Sequence, residues 1–366
     1  ENGRYEIPRE AFRGKSTLVK CIFPDRLEKI DDAAFSGTAL AGTILLPEGL
    51  KYVSGFDQTK ITRIEFPSTL EEIGNSAFEN CTSLMYQILL PESLRKIGEK
   101  AFSSSAISGS LLLPHNLEII DKGAFYKCSN LSGSLVIPDR VKEIPHSIYP
   151  AGVFKDCGFN GTLTLPSGLK KIGDYAFSNV NFKGELNIPD GVEVIGSQAF
   201  SGTDFNGTLV FPSELLSLGS WAFSSCWRLS GVVELPENII SVPTGVFSGC
   251  SQVEKVVLHK GIEVIESRAF ADCYYICSII SEAKNPPVIS ADSFNGVAKD
   301  NFTLEVPEAS VARYRNASHW GEFKRIEAHR EFSINRNLYR TLNDEHSKTF
   351  ILRAPAGENW SVESKP

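Results

Sequence analysis

The sequence predicts a β-rich solenoid, a stack of short and similar coils, followed by a small all-β segment. Three observations carry that expectation. A proline closes a short apolar run at Pro24, Pro47, Pro67, Pro91, Pro114, Pro138, Pro166, Pro189, Pro212 and Pro236, at intervals of 20 to 28 residues and mostly 23 or 24. A phenylalanine, usually as Ala-Phe, recurs in phase with it at thirteen positions, from Phe12, Phe35 and Phe56 to Phe247, Phe270 and Phe294. The 366 residues are 42% hydrophobic and 22% charged, which is enough to bury a large core and excludes a disordered chain. A unit of about 23 residues cannot close a core alone, but stacked units can.

The columns of the unit can be taken in order. Before the proline, Ile44 with Leu46, Leu111 with Leu113, Leu163 with Leu165 and Leu209 with Phe211 alternate with period two, as in a strand with one buried face. Three and six residues after it come Leu50 with Val53, Leu70 with Ile73, Leu94 with Ile97 and Leu169 with Ile172. These point inward from a second extended or turn-like segment. Gly74, Gly98, Gly173, Gly196 and Gly219 follow and are expected to permit a sharp corner through glycine's conformational freedom. The phenylalanine then plugs the interior on the far side. Like side chains of successive units should lie about 4.8 Å apart.

The pattern LxLPxxLxxIxxxAFxxC, as in GTLTLPSGLKKIGDYAFSNVNFK at residues 161–183, resembles the BspA-like (Treponema-type) leucine-rich repeat of surface proteins of Bacteroidales and some other organisms, and covers about residues 1–328. The resemblance implies a leucine-rich-repeat solenoid of the α/β class, a right-handed superhelix with a parallel strand ladder and turn or short-helix corners. It also implies that residues 306–328 are a terminal cap, with Tyr314, Trp320 and Phe323 over the open end of the apolar column. After His329 the period stops, and residues 329–366 read as three or four strands. They resemble the opening half of a BACON-type or other immunoglobulin-like sandwich. A sandwich needs about 100 residues, so this segment is either the start of a larger domain or a β-appendage on the cap.

Composition narrows the function classes. Net charge is −7, from 37 basic and 44 acidic residues, and no polybasic block occurs, so nucleic acid is not an expected partner. The longest uninterrupted apolar run is near Tyr274–Cys277, far short of the roughly 20 residues of a membrane span. The chain opens on Glu1, so a removed N-terminal segment is expected.

Catalysis, metals and cofactors are not expected. Cys81, Cys128, Cys157, Cys226, Cys250 and Cys273 all lie three residues after the repeat phenylalanine, where other units carry Thr38, Thr59, Ser105, Val180 or Thr203. A small, weakly polar buried thiol fits that slot, so free structural thiols are expected over disulfides. Cys273 with Cys277 is a weak CxxxC without a partner pair. The histidines form neither HxH nor HExxH, and no phosphate or nucleophile motif stands in the right context.

Function on a solenoid lies in the outward columns. Two residues before the proline these read Ile22, Leu45, Glu65, Leu89, Leu112, Val136, Thr164, Asn187, Val210, Glu234 and Val257. Seven of the eleven are apolar, and Leu89, Leu112 and Val136 are consecutive. Two readings stay open: β-propensity on an exposed sheet, or a protein-binding strip at Leu45, Leu89, Leu112, Val136 and Val210, rimmed by Ser134, Thr162, Glu185 and Thr208. The acidic column Asp25, Glu48, Glu92, Asp139, Asp190 and Glu237 is expected to cap turns or pair with lysines rather than hold calcium. Between Ile144 and Phe154 an insertion carries His146, Ile148 and Tyr149, either a tolerated loop or a second contact element. Leu216 and Ile240 are expected as a small exposed cluster near Trp221 and Trp227.

The resulting expectation is a non-catalytic, cell-surface or secreted protein, outer-membrane anchored or released, that binds a protein ligand. The resemblance implies adhesion to host or bacterial surface proteins, including extracellular matrix. A carbohydrate-associated surface protein and a spacer without a ligand are the alternatives. Sugar sites want Trp or Tyr faces, and the strand face offers none.

Overall fold

The computed structural model describes residues 5–147 and 151–329, together with the backbone of 350–353 and 361–364. By compactness the chain divides into Glu1–Ala328 and His329–Pro366.

In the first unit every coil makes hydrogen-bonded contacts along three edges. The most regular edge follows the proline. Among the described residues it holds thirteen short strands, from Tyr5–Ile7 and Leu27–Ile30 through Lys171–Ile172 to Val288–Ile289. They pair in parallel, with Lys171 beside Val194 and Ile172 beside Ile195, in runs of six, four and three strands.

The edge before the proline was the one whose alternation announced a strand, yet it is regular only in three stretches. These are Ala41–Leu45 with Lys60–Glu65, Leu135–Val136 with Leu163–Thr164, and five strands from Gly231–Glu234 to Arg325–Ala328. Elsewhere isolated bridges, Gly109 with Leu131 and Gly207 with Leu229, mark the edge. Spacing leaves a mark on this edge without deciding which stretches are regular. The proline slot stands eleven residues before the phenylalanine in nearly every unit, whereas the phenylalanine stands eleven to thirteen before the next proline slot. A one-residue difference between neighbours must be absorbed as a bulge, and register shifts occur at Gly42/Thr43 and Gly231/Val232.

The third edge surrounds the phenylalanine and is built from turns. The short-helix alternative for the corners is not used: among the described residues helix occurs only within 308–322. Around ten of the thirteen phenylalanines the residues two before and two after take left-handed backbone, as at Ser76 and Asn80 around Phe78 or Tyr175 and Asn179 around Phe177. Outside glycine this conformation costs on the order of 1–3 kcal/mol per residue. It turns the N–H groups of alternate residues toward the next coil. Ser76 N–H donates to Glu99 O at 2.7 Å, Phe78 to Ala101 at 2.7 Å and Asn80 to Ser103 at 2.9 Å.

The corner glycines have a different role from the expected one. Gly98, Gly173, Gly196 and Gly219 do not have positive φ. They are where successive coils come closest: a methyl group on Gly219 would run into the backbone nitrogen of Ser197, and one on Gly173 into Pro145 O.

The core is a set of stacked rows. Leu50, Leu70, Leu94 and Leu169, with Val53, Ile73, Ile97 and Ile172, are fully buried. The phenylalanines form an unbroken pile from Phe12 to Phe294, with ring centroids 5.1–6.0 Å apart and planes within 18° of parallel. That is the offset-stacked arrangement aromatic quadrupoles favour. A second, shorter pile of Phe159, Phe182 and Phe205 stacks at 5.7 and 5.8 Å and meets the main one edge-on.

The pile ends where the sequence changes. Residues Glu308–Ser310, Val311–Asn316 and Trp320–Glu322 are short helices. Trp320 tilts 54° across Phe294 and Phe323 meets it edge-on. Buried polar atoms there are satisfied: Trp320 Nε1–H donates to Pro287 O at 2.8 Å, and Tyr314 OH lies 2.7 Å from Ser281 Oγ and 3.0 Å from Ala283 O. The strand Arg325–Ala328 then rejoins the pre-proline ladder beside Thr303–Val306. In the second unit, Phe350–Arg353 pairs antiparallel with Ser361–Ser364.

Two substitutions test this packing. Phe177→Ala should lower unfolding free energy by roughly 3–5 kcal/mol, read from urea melts; a negligible loss would remove its plug role. Gly219→Ala should cost about 1–3 kcal/mol by overpacking, although alanine is the better residue for an isolated chain; an unchanged melting curve would refute the close-approach account.

Candidate functional site

The pre-proline edge places the predicted strip on the outside, with Leu45 and Val136 in strands and Leu89, Leu112 and Val210 in the stretches between them. Leu45, Leu89, Leu112, Val136 and Val210 are each more than half exposed, Leu112 at 66%, while their neighbours Ile44, Leu111, Leu135 and Leu209 are buried. Alternation along a strand does this: each outward residue is held by two inward ones. Leu45 pairs with Glu65 and Val136 with Thr164. Leu89 and Leu112 lie on adjacent coils tied at Gln87, whose Nε2 donates to Ser110 O at 3.1 Å. The apolar run therefore covers the three coils of Leu89, Leu112 and Val136. Glu65 isolates Leu45 on one side, and Asn187 and Glu234 flank Val210. Val257 is half-buried and does not extend the strip. On the rim, Thr162 N–H and Oγ1 bond Ser134 Oγ at 2.9 and 3.1 Å.

The post-proline face is different in kind. Opposite charges alternate across its rungs: Lys51 with Glu71 at 3.5 Å, Glu72 with Lys96 at 2.7 Å, Arg95 and Arg140 on Glu118 at 3.1 and 3.3 Å, and Lys170 with Glu193 at 2.9 Å. Such exposed pairs add little stability each, but they neutralise and hydrate the face. Leu216 and Ile240 interrupt this column and are exposed; Leu216 N–H bonds Glu193 O, and Glu263 N–H bonds Ile240 O. The expected cluster with Trp227 does not form there. Trp227 lies at the turn after its repeat phenylalanine, where its carbonyl accepts Ser251 Oγ at 3.5 Å. Trp221 stacks against Gly245 with Arg268 over its ring at 5.9 Å.

Two members of the acidic column, Glu48 and Glu92, cap turns of the next coil. Glu48 accepts from Ser68 N–H and Oγ at 3.2 and 3.0 Å, and Glu92 from His115 N–H at 3.1 Å. His259, in the proline slot, is buried with Nε2 3.1 Å from Ile239 O and Nδ1 accepting from Gly261 N–H. In the insertion, His146 Nδ1 lies 3.3 Å from Asp174 Oδ2; Ile148 and Tyr149 lie outside the described residues.

The eight cysteines are free. The six repeat thiols are buried donors: Cys81 Sγ bonds Phe56 O at 3.1 Å, Cys128 Phe102 O at 3.1 Å, Cys226 Phe200 O at 3.1 Å and Cys273 Phe247 O at 3.1 Å. Each bond runs back to the preceding coil, whereas Thr59 and Thr203 bond the carbonyl of their own phenylalanine. Burial pushes the thiols of Cys81 and Cys226 up to about 11 and that of Cys273 to about 12. They are protonated and unreactive at neutral pH. Among the described residues no group of three or more His, Cys, Asp or Glu is placed to hold a metal ion, and no helix is long and apolar enough to cross a membrane.

The turn that follows the cysteine slot comes in two lengths, a signal the sequence reading missed. After Thr38, Thr59, Ser105, Cys157, Val180 and Thr203 the next inward residue comes two positions on (Leu40, Ile61, Ile107, Phe159, Phe182, Phe205). After Cys81, Cys128, Cys226, Cys250 and Cys273 it comes three on (Leu84, Leu131, Leu229, Val253, Ile276). The longer turn pushes two side chains outward instead of one.

Parallel coils closed by leucine, isoleucine and phenylalanine rows, with one end covered by a helical cap, define a leucine-rich-repeat solenoid. A family model of the BspA type leucine rich repeat region, in six copies, matches residues 5–132, 52–181 and 147–277. The chain belongs to this BspA-type leucine-rich repeat family. Among solved structures, a leucine-rich repeat protein from Bacteroides ovatus is 20% identical, with 83% of this chain and 88% of that one covered at a TM-score of 0.52. A leucine rich cell surface protein from Faecalibacterium prausnitzii is 20% identical over 84% and 91% at 0.37, and the pneumococcal vaccine antigen PcpA is 16% identical over 89% and 85% at 0.46. No curated protein matches the chain.

The thiols give a pH prediction. Their folded values stand above the ordinary 9.0, so the folded state holds protons that the unfolded chain releases. Their contribution is complete below about pH 9 and is lost as pH rises toward 11 to 12. Urea midpoints should fall over that window. Replacing Cys81, Cys226 and Cys273 by Thr should flatten the fall, and an identical pH profile in the variant would refute the assignment.

Proposed function

We propose that the protein is a non-catalytic, cell-surface or secreted scaffold that binds another protein along the outward face of its pre-proline strands. The observation that carries this reading is the strip of Leu89, Leu112 and Val136, three aliphatic side chains exposed on successive coils. Water-facing strand positions elsewhere in the same column carry Glu65, Thr164, Asn187 and Glu234. A contiguous apolar patch inside a polar rim is the usual anatomy of a recognition surface. The rows beneath it are fully packed, so the strip is presented rigidly and loses little entropy on binding. Leu45 and Val210 are outlying contacts, and His146 with the rest of the insertion, Ile148 and Tyr149, is a second contact element. Family membership supports a place at the cell surface, and extracellular matrix or surface proteins of a host are the ligand class.

Leu112→Glu tests the reading. On a panel of purified extracellular-matrix proteins, the variant should bind at least about thirtyfold more weakly than the parent, as for loss of an anchor worth roughly 2 kcal/mol, with an unchanged melting temperature. Equal affinity in the folded variant would remove the strip as the site.

A further inference from the structure

The turns that follow the cysteine slot carry a second surface. The turn has its extra residue after every repeat cysteine except Cys157, and only at Cys226, Cys250 and Cys273 do three such turns follow one another among the described residues. The pairs they push outward are Trp227 with Arg228, Ser251 with Gln252, and Tyr274 with Tyr275. Trp227, Tyr274 and Tyr275 are 50%, 59% and 62% exposed. The turns are tied in sequence: Ser251 Oγ reaches Trp227 O at 3.5 Å, and Tyr275 N–H donates to Ser251 O at 3.2 Å. Trp227 and the tyrosines therefore stand two coils apart, roughly 10 Å at the strand spacing, across the small side chain of Ser251.

The aromatic groups are held in place. Arg228 lies over the Trp227 ring at 4.7 Å and reaches back to Asp204 of the preceding coil at 3.4 Å. Tyr274 OH donates to Asp272 Oδ1 at 3.0 Å, and its ring edge lies above Gly296, where a side chain would obstruct it. No hydrogen bond to another described residue engages Trp227 Nε1–H or Tyr275 OH.

We propose that this ledge of Trp227, Ser251, Tyr274 and Tyr275 is a carbohydrate-binding site for a neutral polysaccharide. The chemistry of the ledge selects that ligand. A pyranose ring has a face of weakly positive C–H groups, which settles on the negative face of an aromatic ring, and a rim of hydroxyls that need donors and acceptors. Here Arg228, Gln252, Asp272 and the free Trp227 N–H stand around the rings. The charges at the ledge are compensated within it, Arg228 by Asp204 and Asp272 by Arg268 at 3.7 Å, so a neutral chain meets no net field. Two platforms with a low saddle between them suit an extended chain. The strand strip offers aliphatic groups and no flat faces, so the ledge is independent of the reading above.

The test is native-gel retardation by hydroxyethyl cellulose, xylan, galactomannan and soluble starch. At least one should retard the parent protein. Trp227→Ala and Tyr275→Ala should each weaken that retardation by about fivefold to tenfold, the worth of one aromatic contact, and the double variant should abolish it. Both positions are exposed, so melting temperatures should not change. Leu112→Glu should be retarded like the parent, which separates this site from the strand strip. No retardation of the parent by any of the four would overturn the proposal, as would undiminished retardation of the double variant. Loss of matrix-protein binding in the double variant without polysaccharide binding would assign the ledge to a protein partner instead.

Discussion

The rest of the molecule depends on registry between neighbouring coils. No single coil has an interior, because its leucines, isoleucines and phenylalanine become buried only when the same residues of the next coil lie beside them. The ring pile, with centroids never more than 6.0 Å apart from Phe12 to Phe294, is the visible form of that constraint. Three sets of backbone bonds enforce it. The least ordinary is at the phenylalanine corner, where left-handed residues on both sides turn alternate N–H groups toward the following coil. Serine, lysine, tyrosine and glutamine accept that backbone shape at Ser76, Lys100, Tyr175 and Gln198 because the bonds between coils offset its cost.

Much of this was legible in the sequence because the period is a physical repeat. The proline, the inward leucine and isoleucine and the phenylalanine were each assigned their place, and the parallel stacking and family follow. What was not legible depended on spacing between columns rather than on their composition. The ladder after the proline is the more regular one, and the variable return path before the proline shows as register shifts at Gly42/Thr43 and Gly231/Val232. Gly98 and Gly219 looked like bends and are points of contact, a distinction that only the neighbouring coil can draw. For the candidate sites, Leu89, Leu112 and Val136 were placed outward by alternation alone. Trp227 was grouped with Leu216 and Ile240 because counting from the proline cannot tell which corner an added residue enters.

The two surfaces divide the outside of the solenoid by chemistry. Alternating lysine and glutamate make the post-proline face well hydrated, the pre-proline face carries the aliphatic strip, and the turns beyond the cysteine slot carry the aromatic rings. The buried thiols serve the fold: each sulfur donates to a carbonyl of the preceding coil.

The two lengths of turn after that slot separate display from packing. A single added codon there changes what the protein displays without disturbing a buried atom, since the next leucine or valine still falls into its row. The display can therefore change by small insertions while the stacked rows, and with them the stability of the core, stay as they are.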